Sequence, residues 1–295
     1  MDAGDLKVFE AVARLGAMNR AAAELNTVQS NVTARIRVLE DALGATLFER
    51  HSRGVVLTAA GQRLLPYAHQ VRDLLAEARR AVADDGVPRG VLTIGTLETT
   101  AALRLSPLLA GFVERWPAVD LVLRTGTTDE MVTAVVERRV EGAFVCGPID
   151  HADLVAEPVF REELVLVAAR HQGRLDTLLA REGLKLIVLR AGCSYRQRLE
   201  AILAARGVAG TRLLEFGTLD ALLACVAAGV GITLMPRSIV GPLWREGRIA
   251  IHDLPPAESV VDTLFIRRAD GFVSSALSAF LDVARTPRIA ADAAD

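Results

Sequence analysis

Apolar residues recur at helical spacing in three short runs at the start of the chain. Leu6, Phe9, Val12 and Ala13 mark the first. Gly16 predicts its stop, and Asn19 is expected to cap the helix that follows. In that second run Ala21, Ala22 and Leu25 form a stripe of side chains small enough for close helix contact, and Asn26-Thr27 predicts a turn. In the third, Val32, Ile36, Leu39 and Leu43 fall on one helix face. Ser30, Thr33, Ala34 and Arg37 then point the opposite way, Asn31 and Arg35 flank them, and Gln29 sits at the N-terminal end. Two helices joined by a tight turn, the second exposing Gln, Ser, Asn, Thr and Arg near its start, fit a recognition helix in a DNA major groove. Gln and Asn pair with adenine edges, and Arg with guanine or phosphate.

A two-stranded ribbon is predicted next. Leu47-Phe48 and Val55-Val56-Leu57 bracket Glu49-Arg50-His51-Ser52-Arg53-Gly54, with Gly54 suited to the turn. Arg50 and Arg53 at its tip suit a wing that touches phosphate or the minor groove. Thr58 is placed to cap a new helix. Charge tempers this picture: over residues 1–61 the acids cancel the Lys and Arg residues. Their distribution restores it, because Gln29 to Leu39 holds two arginines and no acid. A local patch suffices for groove docking and implies modest non-specific binding. An ordinary helical bundle with a charged surface is the alternative on spacing alone.

A long helix follows. Leu64, Ala68, Val71, Leu75, Ala78 and Val82 form a narrow heptad stripe, with Arg72, Asp73, Glu77, Arg79 and Arg80 off it. The stripe fits either a two-stranded coil or a helix packed on its own domain. A coil is favoured because a DNA reader of this size generally needs two half-sites. Asp84 to Gly90 reads as a polar hinge. From Val91 strands and helices alternate. Strands are predicted over 91–96, 119–124, 142–146, 164–169, 186–189, 212–216, 232–234 and 260–266. Helices are predicted over 103–112, 131–138, 195–205, 219–228 and 272–283. Repeated βαβ units predict mostly parallel sheets with helices on both faces, here in two sets that suggest two lobes.

In such lobes a ligand lies in the cleft outside the carboxyl ends of the strands. The turns there are Glu98-Thr99-Thr100, Gly126-Thr127-Thr128, Cys146-Gly147-Pro148, Gly192-Cys193-Ser194 and Gly217-Thr218. Hydroxyls and free N–H groups at helix starts favour an anion, so a small organic carboxylate is the expected ligand. The candidate residues are Thr99, Thr100, Thr127, Cys146, Gly147, Cys193, Ser194, Gly217 and Thr218. Each hydroxyl is open to a second reading as a simple N-cap. Cys193, at a predicted helix start where a thiol is acidified, admits thiol redox sensing as the alternative.

The N-terminal residues resemble the winged helix-turn-helix of the LysR-type transcriptional regulators. The resemblance rests on Leu6, Phe9, Gly16, Ala21-Ala22, Leu25, Gln29, Leu39-Glu40, Leu43-Gly44, Leu47-Phe48, Arg50, Leu57-Thr58 and Gly61. The chain departs from the pattern at Ala17-Met18, at Val28 where Ser is usual, and at Ala34 where a long polar residue is common. The family implies α/β architecture: an N-terminal all-α winged helix-turn-helix over 1–60, and a linker helix and hinge over 61–89. A two-lobed, periplasmic-binding-protein-like effector domain would fill 90–295, with two crossovers between lobes. Lobe one is then about 91–161 plus 268–295, and lobe two about 162–267. The resemblance also implies dimerisation through the long helix, giving a homodimer or homotetramer on double-stranded promoter DNA, with RNA polymerase as a partner. Thr99 and Thr127 match common effector contacts. At Cys146 some relatives that sense aromatic acids carry a basic residue, and its absence here weakens the transfer of their effectors. DNA contacts are expected from Asn19, Gln29, Ser30, Asn31, Thr33, Arg35, Arg37, Arg50 and Arg53.

Composition agrees. The 295 residues are 51% hydrophobic with a net charge of −2, as in a soluble globular chain. Met1 to Phe9 lacks the apolar core of a signal peptide, and the uncharged run from Ala221 to Pro236 is broken by Gly229 and Gly231. A cytoplasmic protein without a membrane partner is expected. Three cysteines without a C-x-x-C pair suit a reducing compartment. His51, His69, His151, His171 and His252 show no ligand spacing, so no metal or cofactor is expected. No nucleophile elbow, phosphate-cradling loop or H-E-x-x-H motif occurs, and no enzyme is expected. A plain solute-binding protein would not carry the N-terminal domain. Ile289 to Asp295 is expected to fray.

Overall fold

The computed structural model describes residues 1–51, 54–180 and 183–285, and the chain forms two compact units, Met1–Asp84 and Asp85–Asp295. The first unit holds α1 (Ala3–Leu15), α2 (Met18–Glu24), α3 (Gln29–Leu43), β1 (Phe48–His51), β2 (Gly54–Leu57) and α4 (Ala59–Ala83). Its core gathers Leu6, Phe9 and Val12 with Ala21, Ala22, Val32, Ile36, Leu39, Leu47 and Phe48. Asp2 and Asp5 cap α1 reciprocally, and Gly16 closes it in the left-handed conformation with φ 65°.

The wing is fixed by backbone contacts. Val55 N donates to Gly16 O at 3.0 Å. A Cβ on Gly54, which has φ +136°, would lie 2.5 Å from that same oxygen, so only glycine fits there. Glu40 Oε1 accepts from Leu47 N and Phe48 N at 2.7 and 3.3 Å, tying α3 to β1. Thr58 caps α4 by accepting from Gly61 N at 3.1 Å. A Cβ on Gly61 would lie 2.3 Å from Leu47 O. The Leu57-Thr58-x-x-Gly61 pattern is therefore a joint between wing and helix.

Three expectations for this unit are corrected. Asn19 does not cap α2: Ala17 holds the cap position without a side-chain bond, and Asn19 lies inside the helix. Leu43 is 39% exposed, because Leu39 is the last α3 side chain that reaches the core. The stripe on α4 is divided. Leu64, Ala68 and Val71 pack into the unit's own core, while Leu75, Ala78 and Val82 are exposed.

The second unit begins with β3 (Gly90–Thr96) and α5 (Glu98–Thr100), which runs through a π-helical turn at Ala101–Leu105 into α6 (Ser106–Arg115). Next come β4 (Val119–Thr125), α7 (Thr128–Val136), β5 (Gly142–Cys146), β6 (Leu154–Ala169), α8 (Leu175–Leu179) and β7 (Lys185–Leu189). Then follow α9 (Ser194–Ala205), β8 (Arg212–Phe216), α10 (Leu219–Ala227), β9 (Thr233–Pro236) and α11 (Arg237–Arg245). The last elements are β10 (Ile249–His252), α12 (Pro256–Ser259), β11 (Val260–Arg268) and α13 (Ser275–Arg285).

Two lobes share two long strands. β3 pairs in parallel with β4 and β5, and β7 with β8. β6 is antiparallel to β11 through Leu154 to Glu163, then to β9 and β10 from Leu164 onward. The sheets are thus mixed rather than mostly parallel, because the crossing strands run back against their neighbours. The expected strand at 164–169 is only the second half of β6. Its first half alternates with charged residues: Arg104 bonds Glu162, Arg237 bonds Glu163 and Arg285 bonds Glu157. β11 joins β5 from Thr263 to Ile266, so a lobe boundary at 267/268 cuts through a strand that belongs to the first lobe's sheet. α8, α11, α12 and β10 had no prediction. The tail at Ile289 to Asp295 lies outside the described residues. No helix of the described residues is long and apolar enough to cross a membrane.

Candidate functional site

In the first unit α3 presents its first turn to solvent. Val28 holds the N-cap position with no side-chain bond, so the leading amides of the helix carry no side-chain cap. Gln29, Ser30, Asn31 and Arg37 are exposed, and Thr33 is half-buried. Asn31 Nδ2 donates to Thr27 Oγ1 at 2.9 Å, which orients the amide from the preceding turn. Arg37 makes no hydrogen bond or ion pair among the described residues. Arg35 is different. Its guanidinium lies 3.2 Å from Asp5 and 3.8 Å from Asp2, so it ties α3 to the start of α1. Arg35 therefore has a partner on α1 that Arg37 lacks among the described residues. Arg50 lies in β1 opposite Val55, with its side chain outside the described residues, as is Arg53.

In the second unit the carboxyl ends of β3, β4, β5, β7 and β8 converge on one cavity of about 50 Å³ between the lobes. Six expected residues line it: Thr99, Thr127, Cys146, Cys193, Ser194 and Gly217. Three do not. Thr100 is buried away from it, Gly147 is engaged through its carbonyl, and Thr218 caps α10 by accepting from Ala221 N. Thr127 does both things, lining the cavity and forming a capping box with Glu130 on α7. Glu98, Thr128, Arg190 and Tyr195 also line the wall. Glu98 and Thr128 sit in turns the sequence marks. Arg190 and Tyr195 flank the Gly192-Cys193-Ser194 turn, and only their adjacency to it signalled them.

The lobes are bonded across this cavity. Glu98 Oε1 accepts from Leu219 N at 3.2 Å. Ser194 Oγ donates to Thr128 Oγ1 at 2.8 Å, and Arg198 donates to Gly147 O at 3.1 Å. Gly192, at φ +87°, brings its backbone so close that a Cβ would lie 2.8 Å from Thr127 Oγ1. Tyr195, 5% exposed, has its hydroxyl pushed far above the ordinary phenol range by burial, and a hydrogen bond with Thr99 offsets part of that rise.

Burial also pushes the Cys146 and Cys193 thiols up, with Arg198 opposing at Cys146 and the backbone amides of Arg196 and Tyr195 opposing at Cys193. The acidified thiol expected for Cys193 at a helix start is corrected: desolvation outweighs the helix end, and both thiols stay protonated. Cys225 packs at the edge of the second lobe's core.

Two family models match the chain: "Bacterial regulatory helix-turn-helix protein, lysR family" over residues 3–62, and "LysR substrate binding domain" over residues 85–287. The HTH-type transcriptional regulator GltR of Bacillus subtilis is 45% identical over 276 residues, covering 94% of this chain and 93% of its own. The HTH-type transcriptional regulator YofA of the same species is 42% identical, covering 96% and 98%. Among solved structures, full-length CbnR complexed with its target DNA aligns with a TM-score of 0.67 at 26% identity, covering 97% of this chain and 99% of CbnR.

Proposed function

We propose a mechanism from the premise that this chain belongs to the LysR family of bacterial transcriptional regulators. It is a DNA-binding regulator with an effector-binding domain, and its relatives are regulators rather than enzymes. In the proposed mechanism Gln29, Ser30, Asn31, Thr33 and Arg37 enter the major groove of promoter DNA, and the wing carries Arg50 and Arg53 to the backbone. CbnR was solved on its target DNA, and the exposed first turn of α3 supports the same use here. Two copies pair through the exposed Leu75, Ala78 and Val82 of α4, as a homodimer or a homotetramer built from such pairs. The complex works in the cytoplasm and meets RNA polymerase at the promoter.

A small organic acid is proposed as the effector, held between the lobes by the hydroxyls of Thr99, Thr127 and Ser194. The observation that carries this reading is the cavity at the carboxyl ends of five strands, bridged by hydrogen bonds from both lobes. A molecule bound there changes the regulator only by favouring one lobe geometry over another. A cavity of about 50 Å³ selects for small molecules unless the lobes part. Thermal-shift screening of small carboxylates on the full chain tests it. Binding should raise the melting temperature by mass action. Thr99→Val removes a hydroxyl at nearly constant volume and should weaken that binding by about 1–3 kcal/mol. No stabilisation by any carboxylate would refute the assignment.

A further inference from the structure

Among the residues that line the cavity, only Glu98 and Arg190 carry formal charge; the rest are hydroxyls, thiols, glycines and leucines. The two charges come from opposite lobes, Glu98 just after β3 and Arg190 just after β7. They are not paired with each other, and neither has an ion-pair partner among the described residues. Glu98 is half-buried at the cavity wall and faces it without a counter-charge.

The one bond Glu98 does make sharpens the point. Its Oε1 takes the amide of Leu219, the first residue of α10. That amide is the helix-end donor an anionic ligand would otherwise use. A ligand with only negative charge must displace Glu98 or lie against it, like charge to like charge. A ligand that brings an ammonium to Glu98 supplies the missing counter-charge and leaves the Leu219 bond in place. Arg190 at the rim then matches a carboxylate on the same ligand.

Resting on the small-acid reading of the cleft, we propose that the cavity takes a molecule carrying both an ammonium and a carboxylate, an amino acid. Glu98 binds the ammonium and Arg190 the carboxylate. The protonated hydroxyls of Thr99 and Tyr195 and the Thr128–Ser194 pair supply neutral hydrogen-bonding groups around the ligand's middle. Glu98 is thereby the residue that sets specificity between amino acids and the corresponding oxo acids.

Calorimetric titration of the full chain with matched pairs tests this. Each pair is an L-amino acid and its 2-oxo acid, such as alanine with pyruvate, glutamate with 2-oxoglutarate and leucine with 4-methyl-2-oxopentanoate, extended across the common amino acids. For the pair that binds, the amino acid should bind about tenfold tighter or more, the worth of a charge-assisted bond. Glu98→Gln keeps an acceptor for Leu219 and should abolish that preference. Glu98→Asp keeps the charge and should retain the preference at reduced affinity, which keeps the test open if the glutamine variant does not fold. Arg190→Gln should weaken both members of the pair alike. Oxo acids that bind as well as or better than their amino acids would overturn this inference and leave the small-acid reading standing. A preference that survives in a natively melting Glu98→Gln would overturn it too. Binding by neither member of any pair would overturn this inference, and the small-acid reading falls with it when the thermal screen finds no other stabilising carboxylate.

Discussion

Arg35 and Arg37 lie two residues apart on α3, yet only Arg35 has an ion-pair partner among the described residues. Replacing Arg35 with Gln removes a guanidinium held 3.2 Å from Asp5 and 3.8 Å from Asp2. The Asp5 side chain is 9% exposed, so water replaces little of what is lost, although Asp5 keeps its 3.0 Å bond from Asp2 N. The Arg35 side chain is 41% exposed, which limits the gain from the pair. A loss of about 0.5–1.5 kcal/mol follows. In a unit of this size about 1 kcal/mol moves the melting temperature by about 4–8 °C. Arg37→Gln, at an exposed side chain without a partner, should change stability by less than about 0.5 kcal/mol. It should instead weaken specific DNA binding by about 1–3 kcal/mol. Scanning calorimetry of the full chain reads the first effect, and gel-shift titrations at two salt concentrations read the second. The salt slope of the Arg35 variant should match the wild type. A wild-type melting curve together with a flattened salt slope for Arg35→Gln would refute the assignment, since the guanidinium would then be serving phosphate rather than Asp5.

Three further outcomes are expected. Leu75→Lys with Val82→Lys places charge on the exposed half of the α4 stripe, so light scattering should show loss of the dimer while α1 to α4 still fold; an unchanged mass would move the interface elsewhere. Val71 is a poor choice for that test because it packs in its own core. Cys146, Cys193 and Tyr195 all hold their protons more tightly folded than unfolded. The thiols' contribution is complete below their ordinary value of 9.0 and is lost as pH rises through the folded values, so the second unit should melt progressively lower as pH rises above about 9, and Tyr195→Phe should lessen the decline above the ordinary phenol value of 10.0. Val28→Ser would give α3 the side-chain cap it lacks and should raise the stability of the first unit by about 1 kcal/mol in a thermal melt.

The first unit was legible because its devices are local. Gly16 ends a helix, Thr58 begins one, and Val32, Ile36 and Leu39 mark a face, all within a few residues of one another. What escaped was set by distant partners. The pair of Arg35 with Asp5 spans thirty residues and ties α3 to α1 through a side chain whose own helix gives no sign of that partner. β6 hid behind its charges, because Glu157, Glu162 and Glu163 are neutralised by Arg285, Arg104 and Arg237 from other elements. The cleft was found through its turns, since strand ends and helix starts carry a local signature. Its closure was not, because Glu98 meets Leu219 across 121 residues and Ser194 meets Thr128 across 66. Thr218 shows the limit of the turn rule: threonine at a helix start caps the helix at Thr218 and both caps and lines the cleft at Thr127, and only packing decides which.

In the proposed mechanism one chain reads DNA through α3 and the wing and changes that reading when a small molecule fills the cleft. A footprint of the full chain on the DNA upstream of its own gene, with and without the carboxylate that stabilises it most in the thermal screen, tests this directly. Protection over two half-sites, altered in extent or in hypersensitive cleavage when the ligand is added and unaltered in Thr99→Val at the same ligand concentration, is the predicted result. A footprint identical with and without saturating ligand would contradict the account, because the cleft would then bind a molecule without any effect on the DNA complex.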